Sequence, residues 1–256
     1  IASFTFGENE YYRALLADSW DTGTGTLTVG GEFSEENGPW AIPDNFDRTN
    51  GFIRWHSGDA DNYLDVTGLA YHGTWHSTDQ IPLRGIQSGL IDRFSSPQTT
   101  DTGESSRYSL QLNWQQKDAS TTTKLDVWAG YYDLDLFSDF TYYLDDPVRG
   151  DQFEQYDRRY FTGANLSREW RYDLGGMAST TAAGFQTRMD FINGIGLYKT
   201  ENRERHSTVR EDDIYEGSYS LFVDHETRIT DWLRSGIGIR GDLFYFDVSS
   251  DNPANS

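Results

Sequence analysis

Apolar and polar residues alternate along most of this chain with a period of two, the spacing of a strand whose two faces meet different surroundings. Tyr108, Leu110, Leu112 and Trp114 alternate with Ser109, Gln111 and Asn113. Leu27, Val29 and Phe33 stand in the same way against Thr28 and Glu32, and Phe185, Met189 and Phe191 against Gln186, Arg188 and Asp190. Near the C-terminus, Ile237, Ile239, Leu243 and Tyr245 alternate with Arg240 and Asp242. Charged residues therefore sit inside strands. Alternation alone fits two all-β architectures: a sandwich with a wet outer face, or a membrane barrel whose apolar face meets lipid and whose charges line a lumen.

The links between strands separate the two. The pattern predicts about ten strands, roughly at residues 2–19, 25–36, 48–57, 62–77, 105–116, 121–137, 155–170, 180–199, 214–228 and 232–248, many longer than the five or six residues usual in globular proteins. Short polar links fall near Asp21–Gly25, Ser57–Asn62, Lys117–Thr121, Arg171–Thr180 and Thr230–Trp232, and long ones near Glu36–Asp47, Ser77–Glu104, Ser138–Glu154 and Thr200–Asp213. Short turns at one end and long loops at the other is the layout of bacterial outer-membrane barrels, with the short ends periplasmic. A soluble sandwich has no reason to sort its links in this way. Trp20, Trp55, Trp114, Trp170 and Trp232 fall at or near the short-turn ends, where an indole ring sits well at headgroup depth. Within the loop from Ser77 to Glu104, Leu83, Ile86, Leu90 and Phe94 have helical spacing and predict a short packing helix over 83–94.

Composition sharpens this picture. The chain has 256 residues, with 36% hydrophobic and 15% aromatic residues, and a mean hydropathy of -0.70. No run of 18 apolar residues occurs, so no transmembrane helix is expected, whereas alternating barrel strands average to such a hydrophilic composition. The net charge of -20 argues against nucleic acid, whose phosphates need clustered Lys and Arg. With no cysteine there is neither a disulfide framework nor a thiolate metal site.

Signatures of catalysis are missing: the sequence holds no G-x-S-x-G, no phosphate-cradling glycine loop followed by a helix, and no H-E-x-x-H. His72 and His76 share a strand face, but two histidines without a third fixed ligand read as polar side chains bordering a wet lumen, so no metal site is assigned. Asp133, Asp135, Asp145, Asp146 and Asp151 crowd one hairpin and read as solvated loop charge; Glu211, Asp212 and Asp213, beside Arg203, Arg205 and Arg210, read as exposed ion pairs.

The segments Asn37-Gly-Pro-Trp40, Ser77-Thr-Asp-Gln-Ile-Pro82, Leu144-Asp-Asp-Pro-Val-Arg-Gly-Asp-Gln-Phe153 and Ser207-Thr-Val-Arg-Glu-Asp-Asp213 resemble the barrel domain of TonB-dependent outer-membrane receptors, and the resemblance runs along essentially the whole chain. It implies a 22-stranded barrel with a plugged lumen, of which residues 1–256 form a partial barrel domain, without the plug and the last strands. Residues 2–19 lead into a short turn, which places the start near the family's second strand, and the loop-like 251–256 stretch is not an aromatic-terminated strand. Two open edges would leave backbone groups unpaired in lipid, so the remainder of the barrel is an expected partner. The other implied partners are outer-membrane lipid, a small-molecule ligand and the TonB system acting through the plug; no cofactor is implied.

The implied function is uptake of a scarce nutrient, with a ferric siderophore or other metal chelate the leading class and cobalamin, another cofactor or an oligosaccharide open. Ligand contacts are then expected at Trp40, Trp75, His76, Asp79, Tyr142, Tyr143 and Arg149, and lumen-facing groups at Gln186, Arg188, Asp190, Arg240 and Asp242. Two rivals are a complete ten-stranded outer-membrane protease and a soluble carbohydrate-binding β protein.

Overall fold

The computed structural model describes residues 1–251; residues 252–256, most of the loop-like C-terminal stretch, lie outside the described part. Eleven strands form one antiparallel sheet in sequence order: β1 (Ala2–Phe6), β2 (Tyr12–Asp21), β3 (Thr26–Glu36), β4 (Phe46–Gly58), β5 (Tyr63–His76), β6 (Thr102–Lys117), β7 (Thr121–Ser138), β8 (Phe153–Leu174), β9 (Met177–Glu201), β10 (Glu204–Arg228) and β11 (Arg234–Ser250). One short helix, α1 (Leu83–Gln87), lies between β5 and β6. Every strand pairs with its neighbours in sequence, and among the described residues β1 and β11 are each paired on one side only.

Residues directly opposed across an antiparallel pair share a face. The register row Leu27–Trp55–Val66–Leu112–Val127–Ala164 is apolar across six strands. The next row, Thr28–Arg54–Thr67–Gln111–Trp128, lies on the opposite face and is mainly polar. All four alternating stretches of the sequence obey this division.

Among the described residues no second layer covers the apolar face. Ile53, Leu110, Leu221 and Ile237 remain 51%, 58%, 66% and 75% exposed, while the buried hydrophobic residues among those described are only Phe137, Ile192 and Tyr198. In water such a surface would forgo about 25 cal/mol for each Å² of apolar area left uncovered. Contiguous exposed apolar area of this extent marks an interaction surface.

The other face carries paired charges. Glu32 on β3 accepts from Arg13 Nε at 2.9 Å and from Arg48 Nη2 at 2.6 Å, bridging β2 to β4. Asp65 accepts from Arg54 Nε at 2.7 Å, and Arg188 and Asp190 pair along β9. Each of these charges meets a counter-charge within the sheet, and such a charged face is one that borders water and not hydrocarbon.

Four expectations change. Residues 2–19 form two strands, because Asn9 and Glu10 take positive φ (57° and 58°) and Gly7 N–H donates to Tyr11 O at 2.9 Å; this added hairpin makes eleven strands and puts a strand of the opposite direction first. The expected long link Thr200–Asp213 is instead mostly strand, folded at Asn202 and Arg203 with φ of 51° and 70°, the left-handed pair of a two-residue hairpin turn. The helix covers 83–87 rather than 83–94, since Gly89 takes a φ of 74° and turns the chain away. Finally, His72 opposes Thr49 and Ser106 in the register and therefore sits on the apolar face, near its rim, where its Nδ1 lies 2.9 Å from Ser106 Oγ.

Candidate ligand site at the loop end

The long links 37–45, 77–101 and 139–152 all emerge at one end of the sheet. Two of them fold against the tops of β3 to β5 and line with them an open cavity of about 720 Å³, whose lining includes Glu36, Gly38, Trp40, Asp44, Phe46, Tyr71, Trp75, His76, Thr78 and Asp79.

Local chemistry fixes its rings. Trp75 lies on Gly103, where an added Cβ would stand 2.2 Å from the indole, so only glycine on β6 permits that approach. Gly38 takes a φ of 62° and leaves room for both the Trp40 ring and Asp44 Oδ2. Asp44 accepts from Thr78 Oγ1 at 3.3 Å, and His76 Nδ1 lies 3.2 Å from both Asn45 Nδ2 and Pro43 O. Burial pushes the Asp44 carboxyl above the usual range, with hydrogen bonds from Thr78 and Trp40 opposing that and the charge of Glu36 adding to it. Tyr71 also lines a second cavity, of about 520 Å³, which runs along the charged face past Leu15, Glu32, Phe52, Leu69 and Arg107. Tyr71 is thus common to the mouth and to the sheet wall below it.

Behind the mouth lies a buried polar knot. Asp101 and Asp139 are each 1% exposed, Gln152 is 2% and Thr200 is 0%. Gln152 Nε2 donates to Asp101 Oδ1 at 2.7 Å, while Gln152 Oε1 accepts from Thr200 Oγ1 at 3.1 Å and from Arg203 N–H at 2.9 Å. Asp79 Oδ2 accepts the Asp139 N–H at 2.9 Å. The knot thus ties the 77–101 loop, the 139–152 loop and the β9–β10 tip together. Asp101 Oδ2 finds no donor among the described residues. It faces the Asp79 carboxylate, and burial, followed by that neighbour, pushes the Asp101 carboxyl up to about 8. Two carboxylates in this position are held together by one shared proton.

Of the seven expected ligand residues, Trp40, Trp75, His76 and Asp79 come together in the mouth cavity. Tyr142 abuts it: its N–H donates to Asp139 Oδ1 at 2.6 Å and its hydroxyl to Gln80 O at 2.5 Å, and burial raises its pKa to about 12. Tyr143, 61% exposed, and Arg149, 3.3 Å from His206 Nδ1, lie outside it. The five expected lumen groups share the charged face. Arg240 Nη1 donates to Gln186 Oε1 at 2.7 Å across β10, and Asp242 accepts from Ser220 Oγ at 2.6 Å. Not every outlying charge is solvated: Asp212 is 3% exposed and held by Arg210, and Asp133 is bound by Arg158 Nε at 2.7 Å. Glu36, Asp44, Tyr71, Asp101 and Gln152 were not singled out from the sequence. Among the described residues no group of three His, Asp or Glu converges on a metal position.

No family model and no curated protein sequence matches the chain. Solved structures do. The ferric citrate transporter FecA in its unliganded form superposes with a TM-score of 0.74 at 10% identity, covering 96% of this chain and 37% of that one. The ferric-catecholate import receptor Fiu of E. coli K12 gives 0.71 at 10% identity, covering 97% and 45%. FpvA of P. aeruginosa, bound to a heterologous pyoverdine and iron, gives 0.72 at 11% identity, covering 98% and 37%. This chain therefore spans less than half the length of each of these proteins. At such identities the likeness is one of fold: the chain has the architecture of a stretch of β-barrel wall from TonB-dependent outer-membrane receptors.

Proposed function

We infer that this chain is part of the outer-membrane wall of a TonB-dependent receptor that captures a scarce nutrient at its loop end and passes it inward through the lumen. One observation carries the reading: the sheet's apolar face is bare, and from Trp55, which shares its row with Trp20, three tryptophans on β4, β6 and β8 step along the strands as a tilted membrane sheet requires. Gly51, Tyr108 and Tyr160, on β4, β6 and β8, belong to one register row. Trp55, Trp114 and Trp170 lie four, six and ten residues beyond it on the same strands, on the apolar face. The added stagger of six residues at about 3.3 Å each is about 20 Å, over four strand spacings of about 4.8 Å. Setting the three rings at one depth then tilts the strands by about 45°, the inclination of membrane-spanning strands.

The remainder of the barrel pairs with β1 and β11, lipid covers the apolar face, and a plug energised through TonB occupies the charged face near Arg188, Asp190, Arg240 and Asp242. The three similar structures, described for ferric citrate, ferric catecholates and pyoverdines, favour a ferric chelate as ligand class. A soluble carbohydrate-binding protein would have to cover the apolar face, and a complete ten-stranded protease barrel would pair its end strands with each other.

Paired substitutions in the full-length receptor test the reading. Leu110→Arg puts a charge on the apolar face and is expected to cost about 2–4 kcal/mol of stability in a bilayer if it sits near midplane. Ser109→Arg, one residue away on the other face, is expected to change it by less than about 0.5 kcal/mol. Equal effects, or full extraction of the parent protein without detergent, would overturn the membrane assignment.

A further inference from the structure

The mouth cavity has a one-sided chemistry. Three carboxylates, Glu36, Asp44 and Asp79, line it together with the rings of Trp40, Tyr71 and Trp75, and no Lys or Arg does. The nearby guanidiniums are engaged elsewhere: Arg48 with Glu32 at 2.6 Å, Arg93 over the Phe94 ring at 4.9 Å, and Arg107 over the Phe161 ring at 5.3 Å. Glu36 has no side-chain partner among the described residues. Behind Asp79, the buried Asp101 faces the same carboxylate and shares a proton with it, so the pair keeps one negative charge. Negative charge, that of Glu36 above all, is thus gathered beside Trp40, Tyr71 and Trp75, aromatic rings of the kind that attract cations through the ring quadrupole. The chain's net charge of -20 steers in the same sense.

Resting on the receptor reading above, we propose that this cavity seats a positively charged organic group, an ammonium or guanidinium carried by the ligand, between Trp40 and Trp75 and against Glu36, Asp44 and Asp79. A ferric chelate recognised here presents an amine-bearing arm to this wall and its anionic centre elsewhere. The cation supplies a counter-charge to Glu36 and its neighbouring carboxylates, and the rings hold it by cation–π attraction.

The experiment uses the full-length receptor in detergent, with spermidine as organic cation, ferric citrate as anionic chelate and maltotriose as neutral polyol, read by tryptophan fluorescence and calorimetry. Spermidine is expected to bind saturably, to weaken about tenfold or more in Glu36→Gln, and to weaken steeply between 50 mM and 500 mM NaCl. Trp40→Ala is expected to abolish the fluorescence response, and retained heat-modifiable mobility on gels shows that each variant is folded. Saturable binding of ferric citrate or maltotriose that Glu36→Gln leaves unchanged, or no saturable response to spermidine, overturns the proposal. Failure of the receptor reading shows separately, as absence of the parent protein from outer-membrane fractions.

Discussion

The two ends of this sheet are built on different principles. At the short-turn end, links such as 22–25, 59–62, 118–120 and 175–176 close by contacts between near neighbours: Thr22 N–H donates to Gly25 O at 2.8 Å, and Asp118 N–H to Thr121 O at 2.9 Å. At the loop end, segments far apart in sequence are joined, as where Gln152 reaches Asp101, 51 residues away, and Thr200, 48 away. The most deeply buried side chains, Gln152, Thr200, Asp101 and Asp139, all belong to that second end. A wall needs its interior only where lipid does not serve as one. Below the loops the apolar face stays bare, as the proposed membrane setting requires; above them the chain makes a core of its own, and a polar one.

Removing the centre of that knot has the largest expected effect. Gln152→Ala leaves the buried Asp101 Oδ1 without its donor and Thr200 without its acceptor, and each buried unsatisfied group costs about 1–3 kcal/mol. Amide exchange in residues 77–101 and 139–152 should accelerate by one to two orders of magnitude, while the short turns keep their rates. Equal acceleration at both ends would mean that the loops are not a separate unit.

Acidity sharpens the same contrast. The Asp101 carboxyl stands far above its ordinary value, at about 8. Stability from a raised carboxyl is fully present below the unfolded-state value near 4 and is lost as pH rises through the folded value. The groups facing it are Asp79, Asp139 and Gln152, with Tyr142 beyond. Protection of 139–152, corrected for intrinsic exchange, should therefore fall about tenfold or more between pH 6 and 9. Asp101→Asn, which keeps the acceptor for Gln152 and adds a donor toward Asp79, should flatten the profile; a profile unchanged by Asp101→Asn would remove the shared proton from the account.

The contrast also governs what the sequence could show. Nine of the strands were legible because one face of the sheet is apolar and the other polar, which imposes period two. Where β9 and β10 run on past residue 199 into the loop end, the alternation fades, and the stretch reads as a polar loop although it pairs Arg205 with Thr200 and Glu211 with Gly196. The β1–β2 turn was hidden for the opposite reason: Phe4 and Phe6 before it and Tyr12 after it continue an apolar pattern across the break. At the site, Trp40, Trp75, His76 and Asp79 were legible because aromatic and polar residues at strand tops are conspicuous. Asp44, Asp101 and Gln152 owe their roles to partners about 34 to 52 residues away, and no local spacing encodes such a contact.

An intermediate effect is expected where the two ends meet, at the wall of the cavity. Gly103→Ala places a methyl group within 2.2 Å of the Trp75 indole. The ring must swing off β6, at a cost of about 1–3 kcal/mol for an overpacked contact. A red-shifted tryptophan emission and a weaker spermidine response should accompany it, with the short turns again unmoved. An emission spectrum identical to the parent's would show that Trp75 does not rest on that glycine.

The smallest effect belongs to the short-turn end. Asp59 Oδ1 accepts the N–H groups of Asp61 and Asn62, each at 2.8 Å, and these two bonds, Asn62 first, hold its carboxyl below the usual range. For a depressed carboxyl the sign reverses: its contribution is present above the unfolded-state value and is lost as pH falls through the folded one. Asp59→Asn keeps an oxygen for both donors but gives up the charge, so little should change at neutral pH, and below about pH 4 parent and variant should converge, because protonation has by then done the same to the parent. Exchange at Asp61 and Asn62 alone should report it. Since the turn closes on itself, neither the melting temperature nor the protection of 139–152 should move, and a change reaching the loops would mean that the two ends are coupled through the strands rather than built separately.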